Sequence, residues 1–186
     1  LLMHQAEQYP PGSAEEKNKT EQGDSPPAAI EEALVPDIDF DYLKATNPDT
    51  VGWMYIPDSN VNYPVVQGSD NSYYLNRLFD GSYNNSGCIF LDAANASEFT
   101  DPHTIIYGHH MKDGSMFNNL DFFMKKSFWK DHQTFTFDTI HERRTYQVFA
   151  VFKTSGDAGV GYPFHVFVDA VSEDHFNQFV ADIKEM

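Results

Sequence analysis

Short β-rich runs separated by turn-forming residues constrain the fold of this 186-residue chain more than any other feature. Residues 51–56 and 61–66 are rich in β-branched and aromatic side chains, and Pro57-Asp58-Ser59-Asn60 between them is a strong turn signal. Further runs follow at 88–91, 103–107, 134–137 and 146–152. In the last two, polar and apolar residues alternate as in half-buried strands. The sequence therefore predicts a mainly β fold, a barrel or sandwich with peripheral α-helices.

Helices are predicted at both ends of this β-rich region. The first covers residues 39–43 and ends before Asn47-Pro48, because proline disfavours a helical residue before it. The second begins after Ser172, a good N-cap residue. Its apolar residues recur at the spacing of one helix face, which makes it amphipathic: Phe176, Phe179, Val180 and Ile183. Shorter helical stretches are predicted at 71–77, 115–123 and 125–131.

The first 36 residues differ in composition from the rest. They contain seven acidic and two basic residues, two Pro-Pro pairs and a polar run from Ser13 to Ser25. Such a segment buries too little apolar surface to offset the entropy lost on ordering. We expect residues 1–36 to be a disordered linker or stalk, and residues 37–186 to be one domain.

Charge and termini limit the possible partners and the origin of the chain. A formal net charge of −16 argues against nucleic acids and anionic lipid surfaces, which need clustered Lys and Arg. The chain does not begin with Met, and it ends within a helical pattern. No signal peptide or membrane span is apparent in the 186 residues. We therefore expect the sequence to be a fragment at both ends.

The densest group of polar residues follows the run at 103–107. Gly108 allows a tight exit from the strand, and His109 and His110 follow it on a loop, where an imidazole can exchange protons near neutral pH. Two solvated surface histidines are the plainer interpretation. A metal site formed by His103, His109, His110 and Asp113 is a further alternative. Adjacent histidines on an extended segment point to opposite sides, which disfavours joint ligation.

Two other reactive residue types have simpler explanations. Cys88, the one cysteine, lies at the start of an apolar run, so we interpret it as a small buried side chain rather than a nucleophile. Arg143 and Arg144 are interpreted as a solvated pair that precedes the strand predicted at 146–152.

A series of motifs between Ile38 and Ile183 resembles class B sortases, the cysteine transpeptidases that attach proteins to the cell wall of Gram-positive bacteria. Each motif alone is weak, but their order and spacing together are specific. They are Asn47-Pro48-Asp49-Thr50-Val51-Gly52-Trp53, Ile56-Pro57, Tyr63-Pro64-Val65-Val66-Gln67-Gly68, Asp70-Asn71-Ser72-Tyr73-Tyr74-Leu75, Ile89-Phe90-Leu91-Asp92 and Thr104-Ile105-Ile106-Tyr107-Gly108-His109.

The resemblance implies an eight-stranded sortase β-barrel, of which about six strands would be present here. It implies cleavage of a sorting motif of the NPQTN or LPxTG kind after Thr, through a cysteine thioester, and transfer to an amine of a peptidoglycan precursor or a pilin. His109 would be the catalytic histidine, and Asn71, Leu75 and Tyr107 would bind substrate. No cofactor or metal is implied. The implied location is the extracellular face of the membrane or the cell wall, with a membrane anchor absent from this sequence.

The departures from the family pattern are as informative as the matches. Class B sortases continue beyond the late helix into a Thr-Leu-x-Thr-Cys motif and then a strand with an arginine that stabilises the oxyanion. Neither occurs here, and Arg143 and Arg144 lie too early to match. We therefore expect the chain as given to lack transpeptidase activity. The alternative is a sortase-like module that binds sorting peptides without cleaving them.

Overall fold

The computed structural model describes residues 2–3, 37–154 and 172–185. Their strands form one mixed sheet, with the order β1-β5-β4-β3-β2-β6-β7. The strands are β1 (Leu2–Met3), β2 (Thr50–Tyr55), β3 (Asn62–Val66), β4 (Ile89–Leu91), β5 (Thr104–Tyr107), β6 (Thr134–Thr139) and β7 (Arg143–Gln147). The predicted class, mainly β with about six strands, is confirmed; β1 is an additional strand of two residues.

The helices lie between and after the strands. They are α1 (Phe40–Thr46), a first 3-10 helix (Tyr73–Asn76), a second 3-10 helix (Phe117–Met124), α2 (Lys126–Asp131) and α3 (Glu173–Glu185). Helix α1 is capped by the Asp39 side chain, which accepts from the Tyr42 N–H at 2.9 Å. Ser172 caps α3 as predicted, accepting from the His175 N–H at 3.2 Å. None of the helices in the described part of the chain is long and apolar enough to cross a membrane.

Strand β3 pairs with β4 in parallel, and the other neighbouring strands are antiparallel. All three residues of β4 are buried, so the middle of the sheet is covered on both faces. Successive side chains of a strand point to opposite faces. On the first face, which we call the core face, lies a large apolar cluster: Met54, Ile56, Val61, Val65, Ile89, Leu91, Phe99, Ile106, Met116, Phe117, Phe123, Phe135, Phe137, Tyr146 and Val148.

The opposite face of β3, β4 and β5, which we call the site face, holds a smaller cluster. It consists of Val66, Tyr74, Cys88 and Phe90, with Phe79 and Tyr107 packed against it. Tyr74 comes from the first 3-10 helix, so the segment around that helix covers the sheet here. Its hydroxyl donates to Asp49 at 2.7 Å and accepts from the Asn47 amide at 3.0 Å, which ties that segment to the start of β2.

The predicted strand at 146–152 is shifted in the structure, where β7 spans Arg143–Gln147. The register follows from the tight turn after β6, in which the Thr139 N–H donates to the Glu142 carbonyl at 2.9 Å. This turn puts Arg143 opposite Asp138, and their side chains pair at 2.8 Å. The prediction that Arg143 and Arg144 precede the strand is therefore wrong. The predicted linker at 1–36 lies outside the described residues, apart from β1.

Candidate active site on the site face of the sheet

Strand β5 carries the predicted catalytic loop to the edge of the core. Its first three residues are buried and Tyr107, its last residue, is half-buried; Gly108 follows directly. A Cβ at Gly108 would overlap the Cδ1 of Ile89 and lie 2.7 Å from the Phe117 ring. Only glycine lets the backbone pass this close to the core. His109, the next residue, is half-buried.

The His109 ring is held by the backbone of the first 3-10 helix. Its Nε2 lies 2.7 Å from the Leu75 carbonyl oxygen, and its own carbonyl accepts from the Phe117 N–H at 2.9 Å. Because a carbonyl oxygen only accepts, Nε2 must carry a proton in this contact. The ring nitrogen that remains for proton exchange is therefore Nδ1. Leu75 itself is 41% exposed beside this contact.

Asn71 and Tyr107 meet on one carboxylate. Both the Asn71 amide, at 2.9 Å, and the Tyr107 hydroxyl, at 2.7 Å, donate to Oδ2 of Asp92. The Asn71 amide oxygen in turn accepts from the Ala93 N–H at 2.7 Å. Burial, followed by the contact with Asp92, raises the pKa of Tyr107 far above its usual range, so the phenol keeps its proton at neutral pH.

The structure thus brings all four predicted site residues into one region of the site face. Asn71 and Leu75 lie on the same segment, Tyr107 and His109 flank Gly108, and the two pairs are joined through Asp92 and the Leu75 carbonyl. Asp92, to which both Asn71 and Tyr107 donate, was not among the predicted site residues. The available signal was its position, an acidic residue directly after the apolar run of β4.

The neighbouring His110 belongs to a different surface group. Its Nε2 lies 3.0 Å from Asp121, which also accepts from Lys153 at 3.0 Å. These contacts, Lys153 first and then His110, lower the pKa of Asp121. His103 is buried against the ring of Phe179. Within residues 37–154 and 172–185, no three His, Cys, Asp or Glu side chains are grouped as metal ligands would be.

Cys88 is buried in the small cluster of the site face, as its sequence setting predicted. Its exposed fraction is 6%, and its neighbours there are Val66, Tyr74 and Phe90. Burial, with a smaller effect from the charge of Asp80, raises the pKa of the thiol to about 11. A thiol with this pKa is almost entirely protonated at neutral pH, so Cys88 is poorly suited to be a nucleophile.

The two arginines of β7 are paired far along the sheet from β5. Arg143 pairs with Asp138, while Arg144 pairs with Glu142 at 2.6 Å and donates to the Phe99 carbonyl at 2.9 Å. The Arg144 side chain is 12% exposed, so the prediction of two solvated arginines is wrong for this residue.

Comparison with known proteins gives one consistent family. The sortase domain model matches residues 54–175, more than half of the chain. Sortase B of Listeria monocytogenes is 42% identical over 115 residues, which are 62% of this chain and 47% of that protein. Sortase B of Staphylococcus aureus is 33% identical over 145 residues, 78% of this chain and 57% of that protein. The chain thus spans about half the length of these curated relatives.

Solved structures agree with the sequence relatives. A Staphylococcus aureus sortase B–substrate complex matches with a TM-score of 0.71 at 33% identity, covering 78% of this chain and 65% of that one. The structure of sortase B from Listeria monocytogenes matches with a TM-score of 0.70 at 34% identity, covering 79% of this chain and 81% of that one. Sortases are cysteine transpeptidases that act at the cell surface, and this chain belongs to their family as a member of class B.

Proposed function

We propose that this polypeptide supplies the peptide-binding and proton-transfer part of a class B sortase reaction. In that reaction a sorting motif of the NPQTN or LPxTG type is cleaved after Thr through a cysteine thioester. The protein that carries the motif is then transferred to an amine of the cell wall. The observation that carries this proposal is the contact of His109 with the Leu75 carbonyl, beside the Asn71–Asp92–Tyr107 group.

His109 is the proton-transfer group in this proposal. A thiol attacks the carbonyl carbon of the Thr residue, the C–N bond to the next residue breaks, and His109 gives the proton received from the thiol to the leaving amine. The acceptor amine then attacks the thioester, and the proton it loses returns to the thiol as the C–S bond breaks. The Leu75 carbonyl favours Nδ1 as the nitrogen that moves these protons, because it occupies the Nε2 proton.

Asn71, Leu75 and Tyr107 are the proposed substrate-binding residues. The exposed Leu75 side chain offers apolar contact, while Asn71 and Tyr107 offer polar contact a short distance along the same face. The Staphylococcus aureus sortase B structure was solved as a substrate complex, which supports a peptide ligand for a chain of the same fold. The proposed partners are a sorting-motif peptide and an amine from a peptidoglycan precursor or a pilin, at the outer face of the membrane or in the cell wall.

Cys88 is not the nucleophile in this proposal, and it is the one cysteine among the 186 residues. Its burial and raised pKa disfavour the thiolate that thioester formation requires. We therefore propose that these 186 residues alone bind a sorting peptide without forming an acyl-enzyme. The same observation favours the second candidate, a binding module that never cleaves its ligand. A coding sequence that continues into a Thr-Leu-x-Thr-Cys motif would decide for the transpeptidase, and a stop codon after Met186 for the module.

The test is an NMR titration of the 186-residue chain with an NPQTN peptide, an LPxTG peptide and a scrambled control. The His109 imidazole signal is identified as the one that is absent from the spectrum of His109→Ala. We expect one of the sorting peptides to shift this signal. The signal missing in His110→Ala should stay in place, which makes His110 the matched control. Equal shifts with the scrambled peptide, or shifts confined to His110 and Asp121, would overturn the proposal.

The acyl-enzyme is tested separately by mass spectrometry of the chain after incubation with the peptide that binds. No increase in mass is expected, because the buried Cys88 does not react. A thioester adduct on Cys88 would refute its exclusion as the nucleophile.

A further inference from the structure

The carboxylate of Asp92 is the centre of the site-face hydrogen bonds, although its side chain is buried, with the residue 5% exposed. It accepts three hydrogen bonds, two at Oδ2 from Tyr107 and Asn71, and one at Oδ1 from the Ala94 N–H at 2.8 Å. In all three contacts the carboxylate is the acceptor, so the directions of the donors are set by Asp92.

The backbone of Asp92 is fixed from two sides. Its N–H donates to the Ile105 carbonyl at 2.9 Å, and its carbonyl accepts from the Gln67 amide at 3.0 Å. Gln67 also donates to the Asn95 carbonyl at 2.7 Å. The sheet therefore holds the carboxylate in place before any ligand arrives. A carboxylate fixed in this way can orient Tyr107 and Asn71 without a further loss of conformational entropy on binding.

The direction of the Tyr107 hydrogen bond determines what its oxygen can still do. A phenol has one proton to donate, and Tyr107 donates it to Asp92 at 2.7 Å. The lone pairs of the Tyr107 oxygen can then only accept. Asn71 is oriented in the same way, since its amide nitrogen faces Asp92 and its oxygen faces the Ala93 N–H. One amide N–H and one lone pair of Asn71 remain for a ligand.

From this geometry we infer that Asp92 is a positioning residue that makes the Tyr107 oxygen an obligatory acceptor for a backbone N–H of the sorting peptide. Asn71, oriented by the same carboxylate, offers the next donor and acceptor along the site face. A peptide in extended form presents alternating N–H and C=O groups, which this arrangement complements. The inference rests on the proposed function, because it specifies how the same peptide is recognised.

The raised pKa of Tyr107 supports this polarity. Burial and the contact with Asp92 keep the phenol protonated, so the donor to Asp92 is not lost at neutral or mildly alkaline pH. Recognition by Tyr107 should therefore not change between neutral and mildly alkaline pH.

The test replaces peptide N–H groups one at a time by ester oxygens. In the peptide that binds in the titration above, each backbone N–H other than at proline is replaced in turn, and affinities are measured by NMR titration. In the parent chain, one position should lose affinity by about 5- to 10-fold, the effect of one hydrogen bond. In Tyr107→Phe, which lacks the acceptor oxygen but keeps the ring, the loss at that position should disappear.

Asp92→Asn tests the positioning role with nearly the same side-chain shape. The new amide must use its oxygen for the Ala94 N–H, so its NH₂ group faces Tyr107, which becomes an acceptor towards residue 92 and a donor towards the peptide. The ester penalty at the same position should therefore fall to about 1-fold. A penalty at a position that Asn71 contacts should change with it, because Asn71 donates to the same carboxylate oxygen, while the remaining positions keep theirs. A merely structural role would weaken all positions equally.

Asp101→Asn is the matched control. Asp101 lies in the same loop and also accepts from a side-chain amide and a backbone N–H, those of Asn95 and Ala96, but it contacts neither Asn71 nor Tyr107. The loss of affinity at each ester-substituted position should be the same in Asp101→Asn as in the parent chain. A flat profile in the parent chain, or an unchanged profile in Tyr107→Phe, overturns the inference and leaves peptide binding intact. A chain that binds neither sorting peptide instead fails the proposed function, and this inference with it.

Discussion

The two faces of the central strands are stabilised by different forces. On the core face, aromatic and aliphatic side chains from nearly every strand pack together, and several are fully buried, among them Phe135 and Phe137. On the site face, the apolar cluster is small. Two sets of hydrogen-bonded side chains lie beside it, one centred on Tyr74 and the other on Asp92. Apolar burial is non-directional and proportional to area, whereas hydrogen bonds fix orientation at a modest net gain in stability.

This difference indicates a division of roles between the faces. The core face supplies most of the free energy of folding, and the site face uses that stability to hold Asn71, Tyr107 and His109 in fixed directions. Changes on the core face should alter stability and leave ligand recognition in the folded fraction unchanged. Changes at exposed positions of the site face should do the reverse.

The largest expected effect is that of Phe137→Ala on the core face. Phe137 is fully buried and packs on the ring of Phe99 at a centroid distance of 4.6 Å. Its loss leaves a cavity, and we expect the free energy of unfolding to fall by about 3–5 kcal/mol in urea denaturation. Leu75→Ala is the counterpart on the site face, and it should weaken peptide binding with little change in stability. Similar stability losses in both variants would contradict the division of roles.

Gly108→Ala tests the point where the two faces meet. The new Cβ would overlap Ile89 and crowd Phe117 on the core face, while the backbone that shifts carries His109. Overpacking should lower the free energy of unfolding by about 1–3 kcal/mol and also move the His109 imidazole signal. Gly68→Ala is the matched control, because its Cβ would meet its nearest neighbours at an ordinary 3.4 Å. A stability loss without any change at His109 would show that the two faces are independent here.

Local sequence patterns predicted most of the fold. The alternation in β2 and the turn at Pro57-Asp58 fixed where two strands meet, since both signals depend only on near neighbours. The ends of β7 were not predictable in this way. The alternating pattern at 146–152 continues beyond Gln147, but the strand follows the register that the Thr139 turn and the Arg143–Asp138 pair impose.

The candidate site shows the same limit. The local setting after Gly108 singled out His109 and His110, but the choice of His109 and the assignment of Asn71, Leu75 and Tyr107 came from resemblance to a family. His109 and Leu75 are 34 residues apart, and such a separation carries no local signal of proximity. The position of Asp92 after the apolar run of β4 is a local signal, but it does not indicate that Tyr107 lies beside it. Its position beside Tyr107 depends on the pairing of β4 with β5, in which Leu91 lies opposite Ile106. Such a contact follows from strand order, which the individual runs do not encode.

Tyr74→Phe should lower stability less than Phe137→Ala or Gly108→Ala. The Tyr74 hydroxyl joins Asp49 and Asn47, and its removal leaves both with fewer partners, although the Asn47 amide still donates to the Phe79 carbonyl at 2.9 Å. We expect a loss of about 1 kcal/mol in the free energy of unfolding. Tyr73→Phe, with a residue that is 47% exposed, is the control and should be close to neutral. A loss above about 3 kcal/mol would indicate that the polar group, rather than apolar packing, carries the stability of this face.

The smallest expected effect concerns pH and the His132–Asp58 pair at the edge of the core cluster, where the His132 ring stacks on Phe128 at a centroid distance of 4.0 Å. Burial alone would lower the pKa of His132, but Asp58 at 2.8 Å and the Phe128 carbonyl at 2.8 Å together raise it above its ordinary 6.5. Because the folded-state pKa is the higher one, the stabilisation is complete below 6.5 and is lost as pH rises through the folded-state pKa. The Asp58 side chain is 81% exposed, so the contribution should be only about 0.5 kcal/mol.

The test is urea denaturation of the parent chain and of Asp58→Asn between about pH 5.5 and 8. Over this range the free energy of unfolding should fall by about 0.5 kcal/mol more in the parent chain than in Asp58→Asn. Equal losses in the two proteins would mean that water screens the pair completely, and that hydrogen bonds on this surface add orientation without stability.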